Sequence, residues 1–161
     1  MTFQHPDYVP HYVAVYALLR RGDEFLCMRR LNTDYMEGYY GLPSGRVDPA
    51  ETVIQAVLRE TKEETGLTLN PSKLRLCHVQ HRYEGWQEHT KQWVDFYYLV
   101  DSWDGEPVIA EPHKCDHLAW LSADTTEKLI PRLRPLFKSV LQGETFSFSG
   151  DWPEQQQQQA A

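Results

Sequence analysis

A length of 161 residues allows one packed core and leaves too little chain for a second domain of ordinary size. The formal net charge of −7 makes a nucleic-acid backbone an unsuitable general partner, because no broad field of Lys and Arg offsets the Asp and Glu. No apolar run is long enough to cross a bilayer, and the opening residues MTFQHPDYVP lack the basic and apolar regions of a secretory signal, so we expect a cytoplasmic protein without membrane contact.

The three cysteines predict buried free thiols. Cys27, Cys77 and Cys115 are far apart, odd in number and outside any CxxC spacing. A free cysteine usually behaves as a small buried apolar residue. The seven histidines show no HExxH spacing, so the sequence gives no support for a zinc site.

The first third of the chain predicts a β-hairpin followed by a long loop. Residues 11–20, HYVAVYALLR, are rich in β-branched and aromatic residues and lead through an Arg-Gly-Asp turn into EFLCMRR. The next stretch, LNTDYMEGYYGLPSGRVDPAE, is crowded with Gly, Pro, Asn and Asp, which indicates an irregular connection. Long loops of this kind often carry functional residues.

The clearest helix of the sequence follows this loop. Asp48 is a suitable N-cap, Pro49 suits the first helical position, and Glu51 stands where a capping box has its acid. Gly66 is placed to end the helix as the C′ residue. A mostly apolar stripe recurs at helical spacing between them, formed by Ala50, Val53, Ile54, Val57, Leu58 and Thr61.

The second half of the chain predicts two long strands, a short strand near 117–121 and a final helix. The long strands are KLRLCHVQHRY (73–83) and KQWVDFYYLV (91–100). The helix lies within 127–142, and its regular part is expected to begin at or after Pro131. We assign residues 8–143 to one domain and 144–161, which include QQQQQAA, to a largely disordered tail. Strands flanking two helices suggest an α/β fold with a mixed sheet covered on both faces.

Three glutamates of the first predicted helix are the candidate functional residues of the sequence. Glu60, Glu63 and Glu64 are spaced i, i+3 and i+4, so their side chains share one ridge beside the apolar stripe. Like charges at this spacing repel each other, and a hard divalent cation held by carboxylate oxygens would remove that penalty. Taken alone, such an acidic run is more often a solvated helix face, so the surrounding residues decide.

Those surrounding residues form a known pattern. From Gly45 the chain gives five residues, Glu51, seven residues and then RETKEETGL, which ends at Leu67. This stretch resembles the Nudix box, the signature of the Nudix hydrolases, with Thr61 where the pattern prefers an aliphatic residue. YYGLPSG, just before the box, is similar to the Trp-x-Leu-Pro-Gly-Gly entry of the same MutT-like family.

The resemblance implies the Nudix α/β/α sandwich, in which the box folds as a catalytic loop-helix-loop. It also implies that Mg²⁺, or Mn²⁺ in its place, is bound by the carboxylates of Glu60, Glu63 and Glu64 and by the backbone carbonyl of Gly45. Such a metal neutralises a pyrophosphate and lowers the pKa of an attacking water. An acidic protein that acts on phosphates needs a cation of this kind.

Three further roles follow from the same resemblance. The base that accepts the proton of water is Glu60 or Glu64, and the sequence does not choose between them. Arg59 is expected to orient the acids of the box. Glu111 is the best-placed residue beyond the box for an additional metal ligand or base, ahead of Glu106 and Asp116, although each can also be a plain surface acid.

Two tyrosines are assigned to substrate binding. Tyr40 and Tyr83 could stack on a nucleobase, with core or rim packing as the alternative for each. The position of Tyr83 after the box resembles that of a tyrosine associated with dinucleoside polyphosphate hydrolysis.

The expected function is Mg²⁺-dependent cleavage of a nucleoside triphosphate into a nucleoside monophosphate and pyrophosphate. The enzymatic alternative is cleavage of a nucleoside diphosphate joined to another group, such as ADP-ribose, a nucleotide sugar or a dinucleoside polyphosphate. A non-catalytic nucleotide sensor is the alternative of another class, and the complete set of box acids speaks against it. The partner is a small nucleotide, and a homodimer is left open.

Overall fold

The computed structural model describes residues 10–86, 89–125 and 127–150. In this part of the chain the strands are β1 His11–Arg21, β2 Glu24–Arg30, β3 Tyr40–Gly41, β4 Ser44–Arg46, β5 Arg75–Trp86, β6 His89–Val100, β7 Cys115–Leu121 and β8 Phe146–Ser149. The helices are α1 Val53–Thr65 and α2 Leu133–Leu141, with a 3-10 turn at Pro71–Lys73.

The strands form one mixed sheet. Its order is β3-β2-β1-β6-β5-β8, with β4 paired to β1 and β7 paired to β2. The β1–β6 and β5–β8 pairs are parallel, and the other pairs are antiparallel. The predicted hairpin is confirmed, since Arg21 pairs with Glu24 around a turn in which Gly22 has a φ of 65°.

The two faces of β1 carry the two halves of the core. Residues 15, 17 and 19 belong to an apolar cluster that includes Ala56 and Val57 of α1. Residues 14, 16 and 18 belong to a second cluster that includes Leu136 and Phe137 of α2. Because side chains alternate along a strand, one helix covers each face of the sheet, and the predicted α/β/α sandwich is confirmed.

The start of α1 differs from the sequence prediction. The N-cap is Thr52, whose hydroxyl accepts from Gln55 N at 3.2 Å while the Gln55 side chain accepts from Thr52 N at 2.9 Å. The prediction of Asp48 as N-cap was wrong because Ala50 adopts a left-handed backbone with φ 64°, which no helix passing through it could contain. Gly66 ends the helix with φ 74°, as predicted.

The C-terminal end is more ordered than the sequence suggested. Helix α2 begins after Pro131, as expected, but residues 144–150 are not a disordered tail. Strand β8 pairs in parallel with β5 from Val79↔Phe146 to Arg82↔Ser149, and it covers an edge that would otherwise expose unpaired backbone groups. Residues 151–161, with the glutamine run, lie outside the described residues, as do 8 and 9 at the start of the predicted domain.

The cysteine prediction is confirmed, because Cys27, Cys77 and Cys115 are all buried free thiols. No helix within residues 10–86, 89–125 and 127–150 is long and apolar enough to cross a membrane.

Candidate active site

The loop before α1 and the helix itself meet at Gly45. Strand β4 pairs antiparallel with β1, with Val15 opposite Gly45, and this fixes the loop backbone beside the helix. A Cβ atom at residue 45 would collide with the Glu60 carboxylate, so any larger residue there would have to displace that carboxylate from its present position. The adjacent Ser44 N donates to Glu64 Oε2 at 2.8 Å. Backbone groups of the loop and carboxylates of the helix therefore converge at one place.

Arg59 ties the acids of the box together. Its Nε and Nη2 each donate to a Glu51 carboxylate oxygen at 2.9 Å, and its Nη1 donates to Glu60 Oε1 at 2.6 Å. Nη1 also lies 3.4 Å from Glu63 Oε2. The Arg59 hydrogen bonds, together with one from Asp48 N, hold the pKa of Glu51 below its usual value. Glu51 therefore stays charged and fixes the guanidinium over the site.

The three box glutamates differ in their surroundings. The Glu63 side chain is 52% exposed and that of Glu60 is 16% exposed. Burial raises the pKa of Glu60, although Arg59 opposes this shift. Burial also raises the pKa of Glu64 to about 8, with the Ser44 N–H bond acting against the shift. Glu64 is therefore the carboxylate whose negative charge is least compensated by the protein.

Glu111 is brought to the same place by the end of α1. The backbone N–H groups of Val108 and Ala110 donate to the carbonyls of Thr65 and Glu64 at 2.9 and 3.2 Å. These bonds use carbonyls that a helix end leaves without intrahelical partners. The loop is thereby fixed so that the charge of Glu111 helps raise the pKa of Glu64.

A cavity of about 210 Å³ lies beside Ser44, Glu64 and Glu111, and we call it the carboxylate cavity; Glu60 and Glu63 do not line it. Glu64 and Glu111 line it together with Lys114, whose Nζ donates to Glu111 Oε1 at 2.8 Å. Its other walls include Arg29, Arg30, Leu42 and Ser44. The sequence-predicted acids Glu64 and Glu111 thus share one cavity although 47 positions separate them (111 − 64).

The donors around this cavity suit a hard divalent cation. Carboxylate and carbonyl oxygens are the ligands that Mg²⁺ prefers, and the buried Glu64 charge has no ion pair of its own among the described residues. Within that part of the chain, however, no three His, Cys, Asp or Glu side chains are already arranged to hold a metal. Glu60 points to Arg59 and Glu111 to Lys114, so a bound cation would draw both carboxylates away from these partners.

A second cavity, of about 340 Å³, adjoins the first, and we call it the arginine cavity. The two cavities share Arg30, Gly41, Leu42 and Ser44 in their walls. Aromatic and cationic side chains dominate the rest of the lining, which includes Tyr16, Tyr35, Arg46, Arg82, Trp93 and Arg132. A volume of this size falls within the usual range for small-molecule sites.

Comparison with known proteins identifies the family. The sequence pattern of the NUDIX domain matches residues 10–140, which include the box, strands β1 to β7 and most of α2. The chain belongs to the Nudix family. It is therefore a hydrolase that acts on pyrophosphate bonds, as its MutT-like relatives are.

Two curated relatives illustrate how far the similarity extends. The chain is 32% identical over 130 residues to the 8-oxo-dGTP diphosphatase of Escherichia coli K12, covering 77% of this chain and 96% of that protein. It is 33% identical over 89 residues to the human 8-oxo-dGDP phosphatase, covering 55% of this chain but only 24% of that protein. The chain thus matches nearly all of the bacterial relative and about a quarter of the human one.

A solved structure gives the same result for the fold. The MutT NUDIX hydrolase from Burkholderia pseudomallei superposes with a TM-score of 0.69 at 29% identity, covering 81% of this chain and 98% of that one.

Neither of the two tyrosines predicted to bind substrate lies on the wall of either cavity. The Tyr40 ring is part of the core, and its hydroxyl lies 2.9 Å from His117 Nδ1. Tyr83 is next to Arg82 on β5, so the alternation of side chains turns Tyr83 to the opposite face of the sheet from the arginine cavity. The walls of these two cavities therefore give no support to either tyrosine as a substrate-binding residue.

Glu106 and Asp116, the two alternatives to Glu111 as an additional metal ligand or base, each form an ion pair with an arginine outside the box. Glu106 is 80% exposed and pairs with Arg21 at 3.2 Å. Asp116 pairs with Arg29 through both carboxylate oxygens, at 2.7 and 3.0 Å. Of the three acids beyond the box, Glu111 alone lines the carboxylate cavity.

The residues that line the arginine cavity were not predicted from the sequence. Arg82, Trp93 and Arg132 come from β5, β6 and the approach to α2, far apart in the chain. A partial signal was present, since the polar residues His78, Gln80 and Arg82 alternate along one face of the predicted strand. Nothing in the sequence pattern indicated that Arg132 would join them.

Proposed function

We propose that this Nudix hydrolase is a Mg²⁺-dependent nucleoside triphosphate pyrophosphohydrolase that releases a nucleoside monophosphate and pyrophosphate. The observation that carries the proposal is the junction of the two cavities at Ser44, beside the box helix. The carboxylate cavity has the chemistry for a metal and a phosphate chain. The arginine cavity has the size and aromatic lining for a nucleoside.

In this proposal Glu60, Glu63, Glu64 and the Gly45 carbonyl hold the metal, and Glu111 supplies a further oxygen. Bound there, Mg²⁺ would neutralise the phosphate charge and make water more acidic. Arg59 keeps the Glu60 carboxylate oriented toward the loop through its 2.6 Å hydrogen bond. The loop backbone at Gly45 approaches that carboxylate closely because the residue has no side chain.

Glu64 is the better base of the two that the sequence left open. The Glu60 carboxylate accepts a hydrogen bond from the Arg59 guanidinium, which stabilises its charged form and weakens it as a proton acceptor. Glu64 accepts only from Ser44 N among the described hydrogen bonds and lies on the cavity wall. We assign to Glu64 the acceptance of the proton from the attacking water.

Arg30 is positioned to contact the phosphate chain. It lines both cavities, and its Nε donates to the backbone carbonyl of Tyr35 at 2.7 Å. This bond holds the side chain across the junction while its other N–H groups stay available. A guanidinium at the point where the phosphates leave the nucleoside would stabilise charge that develops on the pyrophosphate leaving group.

The decisive experiment identifies products from a panel of substrates in Mg²⁺. The panel contains the common dNTPs, 8-oxo-dGTP, 8-oxo-dGDP, ADP-ribose and a nucleotide sugar; the oxidised nucleotides are included because of the names of the relatives. We expect monophosphate and pyrophosphate from triphosphates, with heavy oxygen from labelled water in only one of the two products. Orthophosphate as the product, or cleavage of ADP-ribose with inert triphosphates, would contradict the proposal. Glu64→Gln serves as the inactive control.

A further inference from the structure

Arg132 is a buried cation without a carboxylate partner among the described residues. Its Nη1 donates to the Tyr97 hydroxyl at 2.9 Å and its Nη2 to the Tyr16 hydroxyl at 3.0 Å. Asp95, a buried acid whose charge also acts on Arg132, is already paired with Arg82 at 2.7 Å. Burying an unpaired charge is costly, so a group that accepts hydrogen bonds from Arg132 would bind with advantage.

Arg132 also has N–H groups that are not used in its hydrogen bonds to the two tyrosines. A guanidinium has five N–H donors, and the two tyrosines use one on each terminal nitrogen. Its Nε is buried and has no hydrogen-bond partner in the described structure. Trp93 Nε1 is in the same situation, and both side chains line the arginine cavity. Buried donors of this kind are rare in folded proteins unless a ligand or water completes them.

The walls around these donors suit a flat aromatic ligand. The Tyr16 ring stacks on Tyr97 with centroids 4.5 Å apart, which keeps it rigid. The Trp93 ring contacts the Tyr12 ring, with centroids 4.8 Å apart, and the Arg82 guanidinium, at 4.6 Å, which keeps it rigid. Ordered aromatic side chains bind bases at a small entropic cost, and every base offers a π-face.

We propose that Arg132 is the base-specificity determinant of this enzyme and, with Trp93, selects nucleobases that present carbonyl oxygens. Guanine, oxidised guanine, hypoxanthine and uracil offer such acceptors, whereas the amino group of adenine would place a donor against a donor. Arg132 acts on the base and not on the phosphates. The inference rests on the proposed function only in taking a nucleotide as the ligand.

The sharpest test compares dITP with dATP, because these differ mainly in a carbonyl or an amino group at position 6 of the purine. We expect the wild type to show a kcat/KM at least tenfold higher for dITP. Arg132→Met should bring the ratio close to one, mainly by lowering the value for dITP. Lys138→Met, which changes an exposed cation in the helix that follows Arg132 and lies outside the cavity, should keep the wild-type ratio. An equal rate for both nucleotides in the wild type, or an unchanged ratio in Arg132→Met, would overturn the inference.

A binding measurement separates this inference from the proposed function. The Kd values of dIMP and dAMP, measured by calorimetry without turnover, should show the same preference and the same loss in Arg132→Met. If triphosphates are inert but dIMP binds preferentially, the function is wrong and the inference stands. If triphosphates are cleaved without base preference, the proposed function stands and the inference about Arg132 is wrong. Trp93→Phe keeps an aromatic ring but lacks Nε1, so it should lose part of the preference for dIMP. This variant tests the inference if Arg132→Met does not fold.

Discussion

Arg59 and Glu51 form a two-point ion pair beside the first turns of α1, with Nε–Oε1 and Nη2–Oε2 distances of 2.9 Å. Only 14% of the Glu51 side chain and 28% of the Arg59 side chain are exposed. A bidentate pair in such a position is stronger than a solvated surface pair. It fixes the guanidinium where its third nitrogen reaches Glu60.

Glu51→Gln should therefore impair catalysis without touching a metal ligand. The amide cannot pair with Arg59 as a charged fork, so the box acids lose their orientation, and we expect kcat to fall about 10–100-fold. Unfolding in urea should show a loss of about 1–3 kcal/mol. Asp48→Asn is the matched control, since Asp48 is 67% exposed and lies 3.7 Å from Arg59. Equal losses in both variants would contradict a specific role for the Glu51 pair.

The same pair gives a dependence of stability on acid. The pKa of Glu51 is lowered in the folded protein, so its stabilisation is complete above the unfolded pKa of about 4.3 and is lost as the pH falls through the folded value. The urea midpoint of the wild type should drop between pH 5 and 3 more than that of Glu51→Gln. Parallel curves for the two proteins would argue against the pair as its source.

Glu63→Gln and Glu64→Gln should keep the fold and lose most turnover. Each removes a proposed metal ligand, and we expect kcat to fall by about 100-fold or more, the scale for losing a group that acts on developing charge. Glu106→Gln, which changes an exposed acid outside both cavities, should be almost fully active. Near-normal turnover in both box variants would refute the metal assignment.

The stability of the metal-free protein should decrease as the pH rises, because of Glu64. Its folded pKa of about 8 lies above the unfolded value, so its contribution is complete below about pH 4.3 and is lost as the pH rises toward 8. One such group gives a slope of up to about 1.4 kcal/mol per pH unit. In chelator, Glu64→Gln should be more stable than the wild type at pH 8 and lack this slope between pH 5 and 8. Identical urea midpoints for the two proteins across this range would rule out the effect.

Chelation should abolish activity, and Mg²⁺ or Mn²⁺ should restore it. The rate should also rise toward alkaline pH, since the attacking water becomes easier to deprotonate. Initial rates at several pH values, with and without excess chelator, provide the measurement. Turnover that persists in excess chelator would remove the metal from the mechanism.

The box itself could be recognised from the sequence because its geometry is local. A helix places Glu60, Glu63 and Glu64 on one ridge whatever surrounds it, and the spacing from Gly45 identified the loop that would meet them. Strands β1, β2, β5, β6 and β7 and the two helices followed from hydrophobic patterns in the same way, whereas β8 did not. The N-cap was missed because the left-handed backbone at Ala50, which moves the N-cap to Thr52, depends on how the loop is fixed to Arg59 and β4.

What the tertiary structure alone decided is which distant residues share a cavity. The register of β5 against β6 decides which side chains of β5 face the cavity. Arg82 faces it, and Tyr83, one position further along, lies on the opposite side of the sheet. Strand β8 exists because it pairs with the edge of β5, not because FSFS is a strong strand pattern on its own. Arg132 meets Trp93 and Tyr16 only when α2 packs on the sheet, since contacts across such sequence distances are set by the fold and leave no local periodicity to detect.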